Sequence, residues 1–227
     1  MKFREFENIM SSYRMSRYVT ACGGNTKKAM TLYRLNLRLS QEMFTVISCF
    51  EVALRNAIDK HYLTTLGADW LRNAAATGGI FDNRFCRITA HSINDEIYAL
   101  GGHYAHGKVV AGLGFGIWRY LFAAHQYQQA GQTLLRIFPA KPRSTATTQY
   151  NQTYVFNQLA HINNIRNRIA HHEPICFQSG LPITSTLYAR QNYNLILQLF
   201  QWMSLDESAL LYGLDHINTV CNQIDRL

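Results

Sequence analysis

The sequence predicts an all-α protein, and three observations support that class. Apolar residues recur at three- and four-residue steps, the period of a helix with one buried face, in segments spread along the 227 residues. No segment shows the convincing alternation of apolar and polar residues that marks a half-buried strand. Hydrophobic residues make up 48% of the chain, enough for a substantial core. We therefore expect a helical bundle forming a single domain over residues 1–227.

The N-terminal segment, residues 1–25, predicts a basic helix over residues 3–21 that ends at Gly23 and Gly24. The first 38 residues contain eight lysines and arginines, with three tyrosines between them, against two glutamates. Such a surface suits RNA, because cations bind phosphates and aromatic rings stack on bases. It equally suits a solvated helix face over core tyrosines, and both interpretations stay open.

Residues 26–66 predict one long helix or a closely broken pair, since a continuous apolar stripe runs through them without a proline. Glu51 and Arg55 are four residues apart, a spacing and orientation that supports a helix. An ion pair between them that orders the surface is one interpretation of Glu51. Its apolar neighbours Phe50 and Leu54 instead suggest a partly buried setting, and the two interpretations stay open.

The rest of the chain predicts more helices joined by polar or glycine-rich connections. Helices of the expected period are predicted at residues 81–99, 115–130, 185–203 and 206–225. Connections are predicted at residues 67–80, 101–108 and, as a linker-like loop, 139–149. The glycines match neither a phosphate-binding loop nor a dinucleotide fingerprint. We therefore predict no cofactor.

One helix holds most of the candidate chemistry. Its apolar positions are spaced by four, three, three and four residues, at Val155, Leu159, Ile162, Ile165 and Ile169. Asn163, Arg166 and Asn167 fall on another face. Pro174 cannot continue a helix, so we expect the helix to end near His172 with both His171 and His172 in its last turn.

Two interpretations of this helix end stay open. Arg166 precedes His171 by about 7–8 Å along the axis, so the two side chains can share a phosphate. A fixed cation beside a titratable imidazole is a minimal arrangement for cleaving an RNA phosphodiester. Basic residues in a last turn are also ordinary helix-capping residues, and an arginine on a polar face is usually solvated.

Bulk properties limit the class of partner and compartment. The net charge of +8 favours a polyanion such as RNA, although charge alone does not separate RNA from DNA or an anionic membrane surface. The five cysteines are scattered and form no Cys-x-x-Cys pair, which predicts free thiols and no metal site. Neither a secretory signal nor a run of about 20 apolar residues is present. We expect a cytoplasmic protein without a membrane partner.

The helix end also carries a family resemblance. The stretch from Arg166 to His171 resembles the Arg-x4-6-His motif of HEPN domains, which are helical and often act as ribonucleases. Three segments in order, Phe50–Asn56, Gly112–Trp118 and Arg166–Pro174, resemble the Abi-like (abortive infection) family of bacterial HEPN proteins more specifically. The resemblance implies a HEPN-like bundle with extra helices, acting in phage defence or as a toxin.

The resemblance further implies a metal-independent endoribonuclease that leaves 2′,3′-cyclic phosphate and 5′-hydroxyl ends. His171 would transfer protons, with His172 as the alternate histidine, and Arg166 would stabilise the transition state. Asn167 would orient His171 or the phosphate, and Glu51 would be the acidic residue of the first core helix.

The partners are expectations of the same kind. The residues expected to contact RNA are Arg168, Arg55, Asn56, Lys27, Lys28, Arg34 and Arg38. For Arg168 a partner subunit is the other option. A symmetric homodimer would pair two motif helices in one composite site. A regulatory RNA or antitoxin partner stays open.

The sequence allows one alternative function and disfavours another. The alternative from a different class is a non-catalytic RNA-binding or partner-binding helical module that uses Arg166 and His171 only as phosphate contacts. A metal hydrolase built on His171, His172 and Glu173 is disfavoured, because adjacent helical residues point about 100° apart and rarely chelate one ion.

Overall fold

The computed structural model describes all residues, 1–227, and confirms the all-α class. The twelve α-helices are α1 Phe3–Met10, α2 Ser12–Ala21, α3 Thr26–Leu66, α4 Trp70–Ala75, α5 Arg87–Leu100, α6 His106–Gly112, α7 Phe115–Tyr120, α8 Ala124–Gln129, α9 Gln152–Ala170, α10 Leu187–Trp202, α11 Glu207–Leu210 and α12 Ile217–Asp225. Two short 3-10 helices lie at Gly101–His103 and Leu134–Ile137. The chain has no strand, only one isolated antiparallel bridge between Phe177 and Thr184. None of the helices is both long and apolar enough to cross a membrane.

The long helix α3 is continuous, so the alternative of a closely broken pair is excluded. Its stripe is fully buried along the length, at Leu39, Met43, Val46, Phe50, Leu54 and Ile58. Burial of each such side chain stabilises the fold by about 1.5–3 kcal/mol, and no proline interrupts the backbone hydrogen bonds. Both causes were visible in the sequence.

The prediction of one helix over residues 3–21 was wrong, because the helix is interrupted at Ser11. The backbone of Ser11 has φ 72°, outside the helical region. Its hydroxyl accepts a hydrogen bond from the Arg14 amide at 3.2 Å, which caps α2. A serine inside a helical pattern has thus become the boundary between two helices.

Three other helix boundaries differ from prediction, each for a local reason. The helix predicted at 81–99 begins at Arg87, because the Asn83 side chain accepts hydrogen bonds from the Phe85 and Cys86 amides before it. The helix predicted at 115–130 divides into α7 and α8 around a turn that buries Leu121 and Phe122 completely.

The helix predicted at 206–225 divides into α11 and α12, with Gly213 between them at φ 73°. The loop predicted at 101–108 ends early, since α6 already begins at His106. There the His106 Nε2 lies 2.7 Å from an Asp59 carboxylate oxygen, and Trp70 Nε1 donates to the same oxygen at 2.8 Å. This shared acceptor fixes the start of the helix.

The chain divides into two compact units. The first unit contains residues 1–48, 164–198 and 207–227, and the second contains residues 49–163 and 199–206. In the core of the first unit the Tyr18 ring meets Tyr33 and Phe177 edge to face, at centroid distances of 5.1 and 4.9 Å. In the second unit Phe50 packs on Phe200 at 5.3 Å. Organisation as a single domain stays a prediction.

Candidate functional site

The motif helix α9 ends in a well-formed capping turn. Asn151 starts the helix, because its side chain accepts a hydrogen bond from the Tyr154 amide at 3.0 Å. At the other end the Glu173 amide donates to the Arg168 carbonyl at 2.8 Å, and the His172 amide donates to the Ile169 carbonyl at 2.9 Å. These two bonds define a Schellman motif, which satisfies carbonyls that a helix end otherwise leaves unpaired.

His172 occupies the position in this motif that glycine usually takes. Its backbone has φ 57°, in the left-handed region, where a residue with a Cβ pays about 1–2 kcal/mol. His171 precedes it and is not among the residues with positive φ. α9 ends at Ala170, two residues before the predicted end near His172, so the prediction that both histidines sit in its last turn was wrong: they lie just past the helix.

The two histidines are exposed, and Asn167 is exposed on the same side of α9 as His171. The His171 amide donates to the Asn167 carbonyl at 2.9 Å, the last regular hydrogen bond of the helix. Arg166 is half-buried one residue earlier. The structure therefore holds the backbone of these residues firmly and presents the imidazoles to solvent.

Arg168 holds the capping turn together. Its Nη2 donates to the Pro174 carbonyl at 2.7 Å, and its guanidinium lies 4.9 Å from the centre of the Tyr188 ring. Its Nε is 3.2 Å from a Glu173 oxygen, but this N–H is buried and has no well-directed hydrogen bond, so the contact is an ion pair only. Binding of RNA or a partner by Arg168 stays a prediction, beside this structural role.

The N-terminal helix α2 packs beside the same turn. Arg14 Nη1 donates to the His172 carbonyl at 2.6 Å. Arg17 Nη2 donates to the carbonyls of Gln178 and Leu181, at 3.0 and 2.7 Å, and its guanidinium lies 4.5 Å from the Phe177 ring centre. These contacts join residues more than 150 positions apart in sequence, and the first of them places the Arg14 guanidinium beside the capping turn.

A cavity of about 330 Å³ lies between α2 and the end of α9; we call it the histidine cavity. It is lined by Tyr13, Arg14, Ser16, Arg17, Tyr18, His171, His172, Glu173 and Pro174. Two arginines face one carboxylate, Glu173, which is already paired with Arg168. The cavity therefore attracts anions.

The Tyr18 hydroxyl, in the cavity lining, and the Cys176 thiol, near Tyr18 but outside the lining, are both hard to ionise. Tyr18 is 2% exposed, and burial raises the pKa of its hydroxyl, with Cys176 and Tyr33 acting in the same direction. Burial also raises the pKa of the Cys176 thiol to about 12. These two groups are therefore poor proton donors at neutral pH.

The other predicted site residues lie elsewhere. Arg166 and Asn167 belong to the first unit but do not line the histidine cavity. Glu51, Arg55 and Asn56 belong to the second unit. There Glu51 and Arg55 are half-buried, Asn56 is exposed, and Arg55 Nη1 donates to the Ala111 carbonyl at 3.3 Å. The roles of all five stay predictions.

Four basic residues that were predicted to contact RNA lie in the first-unit part of α3 and are exposed: Lys27, Lys28, Arg34 and Arg38. Two of them have contacts within the chain. Lys28 Nζ donates to the Leu227 carbonyl at 2.8 Å, and the Arg34 guanidinium lies 5.2 Å from the Phe6 ring centre. Their binding to RNA stays a prediction.

Sequence reasoning missed three residues of the histidine cavity as site residues: Tyr13, Arg14 and Arg17. The available signal was the basic N-terminal segment with tyrosines between its cations. Tyr18 and Tyr33 are core residues, as one interpretation of that segment expects, while Tyr13 is 92% exposed. Binding of RNA by the segment stays a prediction. Nothing in the local sequence indicated which of the three faces the histidines.

Residues 2–176 match the family described as Abi-like protein. The chain belongs to the Abi-like family. The match includes α1 to α9, both histidines and the Arg14 and Arg17 side chains, and thus spans the whole histidine cavity. Membership in the Abi-like family suggests a role in abortive infection, a form of phage defence. Searches among curated proteins and among solved structures gave no match.

Proposed function

We propose that this Abi-like protein is a metal-independent endoribonuclease of the HEPN type, acting in phage defence or as a toxin. One observation carries the proposal: His171 and His172 are presented to solvent by a fixed helix end, beside a cavity walled by Arg14 and Arg17. Arg166 lies on the same helix at the Arg-x4-His spacing. Together these groups supply a proton-transfer residue and cations for a phosphate.

The reaction needs no external nucleophile. The 2′-hydroxyl of the RNA attacks the adjacent phosphorus and loses its proton as the new P–O bond forms. The bond to the 5′-oxygen breaks, and that oxygen takes up a proton. The products are a 2′,3′-cyclic phosphate and a 5′-hydroxyl.

The chain's own residues have distinct roles in this reaction. His171 transfers a proton at one of the two oxygens, with His172 as the alternate. Arg166 offsets the negative charge that develops on the non-bridging phosphate oxygens in the transition state. Asn167, one turn before His171 on the same side of α9, orients the imidazole or the phosphate.

One chain supplies one set of Arg166, Asn167 and a proton-transferring histidine, whereas the reaction uses both a general acid and a general base. A symmetric homodimer that pairs two motif helices meets this need with a composite site. His171 and His172, just past the C-terminal end of α9, are exposed and therefore accessible to a second copy of the chain.

The test is RNA cleavage and RNA binding by the wild type and His171→Ala, with His161→Ala as the matched control. His161 is an exposed histidine within α9, ten residues before His171. We expect His171→Ala to lose cleavage by about 100-fold or more and to keep RNA binding, while His161→Ala keeps both. Binding without cleavage by the wild type favours the alternative, a non-catalytic RNA-binding module.

A further inference from the structure

We propose that the histidine cavity binds one unstacked base of single-stranded RNA, stacked on Tyr13, with Arg14 contacting the adjacent phosphate. This subsite rests on the proposed function and names its substrate: single-stranded RNA, in which a base is free to leave its neighbours. It adds a recognition element from α2 to the residues of the motif helix.

Tyr13 has the properties of a stacking platform. Its side chain is 92% exposed although it lines the cavity, and none of the ring contacts within the chain involves it. Packing therefore does not explain a large aromatic residue here. Stacking of bases on exposed aromatic side chains is the usual way that proteins bind single-stranded nucleic acid.

Arg14 is positioned to hold a phosphate beside that ring. Its hydrogen bond to the His172 carbonyl fixes the guanidinium next to the histidines and uses one of its five N–H donors. Arginine forks bind phosphate oxygens well, because several donors point in fixed directions. Arg17 differs, since two carbonyls and the Phe177 ring already hold it, so it supplies charge to the cavity wall.

The size and lining of the cavity favour a base over other ligands. A volume of about 330 Å³ is at the lower end of the ~300–1,000 Å³ that small-molecule sites occupy, so the cavity has room for one base-sized group. Its lining combines Tyr13 and Pro174 with Arg14 and Arg17. An aromatic ring and a proline beside two arginines match a base with its phosphate.

The test measures binding of a fluorescent single-stranded octanucleotide with 2′-O-methyl groups, which lacks the hydroxyl that attacks during cleavage. Tyr13→Ala should weaken binding by about 5- to 150-fold, the range that stacking of one base covers. Tyr13→Phe keeps the ring and should bind as the wild type does. Because Tyr13 is so exposed, these substitutions leave the fold intact, which melting temperatures will verify.

Two controls separate stacking from general charge effects. Tyr212→Ala removes another tyrosine of the first unit, 88% exposed, and should leave binding unchanged. A 2′-O-methyl duplex of equal length hides its bases, so its weaker binding should not change with Tyr13→Ala. Equal losses for the strand and the duplex, or no loss for either, would overturn the proposal.

The outcome for the subsite is independent of the outcome for catalysis. If the wild type cleaves RNA but Tyr13→Ala binds the octanucleotide normally, the base subsite is wrong and the nuclease stands. If the wild type never cleaves but its binding depends on the Tyr13 ring, the nuclease is wrong and the base subsite stands.

Discussion

His172 adopts a backbone conformation that glycine provides at lower cost. Its φ of 57° closes the Schellman motif of α9, and its carbonyl accepts the Arg14 hydrogen bond. A histidine at such a position costs stability, so its side chain is expected to contribute something that glycine lacks. His172 lines the histidine cavity, so its side chain is placed where it can contact a ligand, which glycine could not do.

The strain at His172 gives a first prediction. His172→Gly should raise the free energy of unfolding by about 0.5–1 kcal/mol, because relief of about 1–2 kcal/mol of left-handed strain exceeds the entropy cost of glycine. Thermal denaturation should show a melting temperature about 1–4 °C higher. His171→Gly, at a position without positive φ, is the control and should not stabilise. Equal effects at both positions would refute the strain argument.

At the scale of elements, α3 is anchored to the turn that follows α8 by His61. Its Nε2 lies 2.9 Å from the Thr133 hydroxyl, within the second unit. Burial lowers the pKa of His61 below its ordinary value, and Arg136 nearby acts in the same direction. The folded chain therefore favours the neutral form of this imidazole more than the unfolded chain does.

His61 predicts how stability depends on pH. Below about pH 6.5 the unfolded chain binds a proton at this histidine more readily than the folded chain, so stability falls as the pH falls. His61→Gln keeps a polar side chain and removes this contribution. Denaturant unfolding at pH 7 and pH 5 should show a smaller loss for His61→Gln than for the wild type.

His161→Gln serves as the control for the pH experiment, since it removes an exposed histidine of the same unit. Its loss of stability between pH 7 and pH 5 should exceed that of His61→Gln. An identical pH dependence for His61→Gln and the wild type would show that folding does not favour the neutral form of His61.

At the scale of the whole molecule, local periodicity predicted the long elements and missed the contacts between them. The apolar stripes of α3 and α9 follow from local spacing. Both segments are helical as predicted, although α9 ends two residues earlier than expected. The separation of α1 from α2 depends on one capping serine, Ser11, and the spacing of apolar residues does not reveal such a cap. The pairing of Arg14 with His172 spans 158 positions, and no local pattern encodes it.

The proposed composite site predicts a dimer. Light scattering coupled to gel filtration should give a mass near twice 26.1 kDa at the concentrations at which the protein cleaves RNA. Mixing Arg166→Ala with His171→Ala chains should restore part of the activity if each site draws on both copies. Full nuclease activity from a protein that remains monomeric would refute the composite site.

The most direct test of the central claim is the chemistry of cleavage. End-labelled RNA is incubated in EDTA with the wild type, Arg166→Ala or His171→Ala, and the ends of the products are identified. We predict cleavage by the wild type alone, leaving 2′,3′-cyclic phosphate and 5′-hydroxyl ends, and none at a 2′-deoxy position. Cleavage that EDTA abolishes, or products with 3′-hydroxyl and 5′-phosphate ends, would contradict the proposed mechanism.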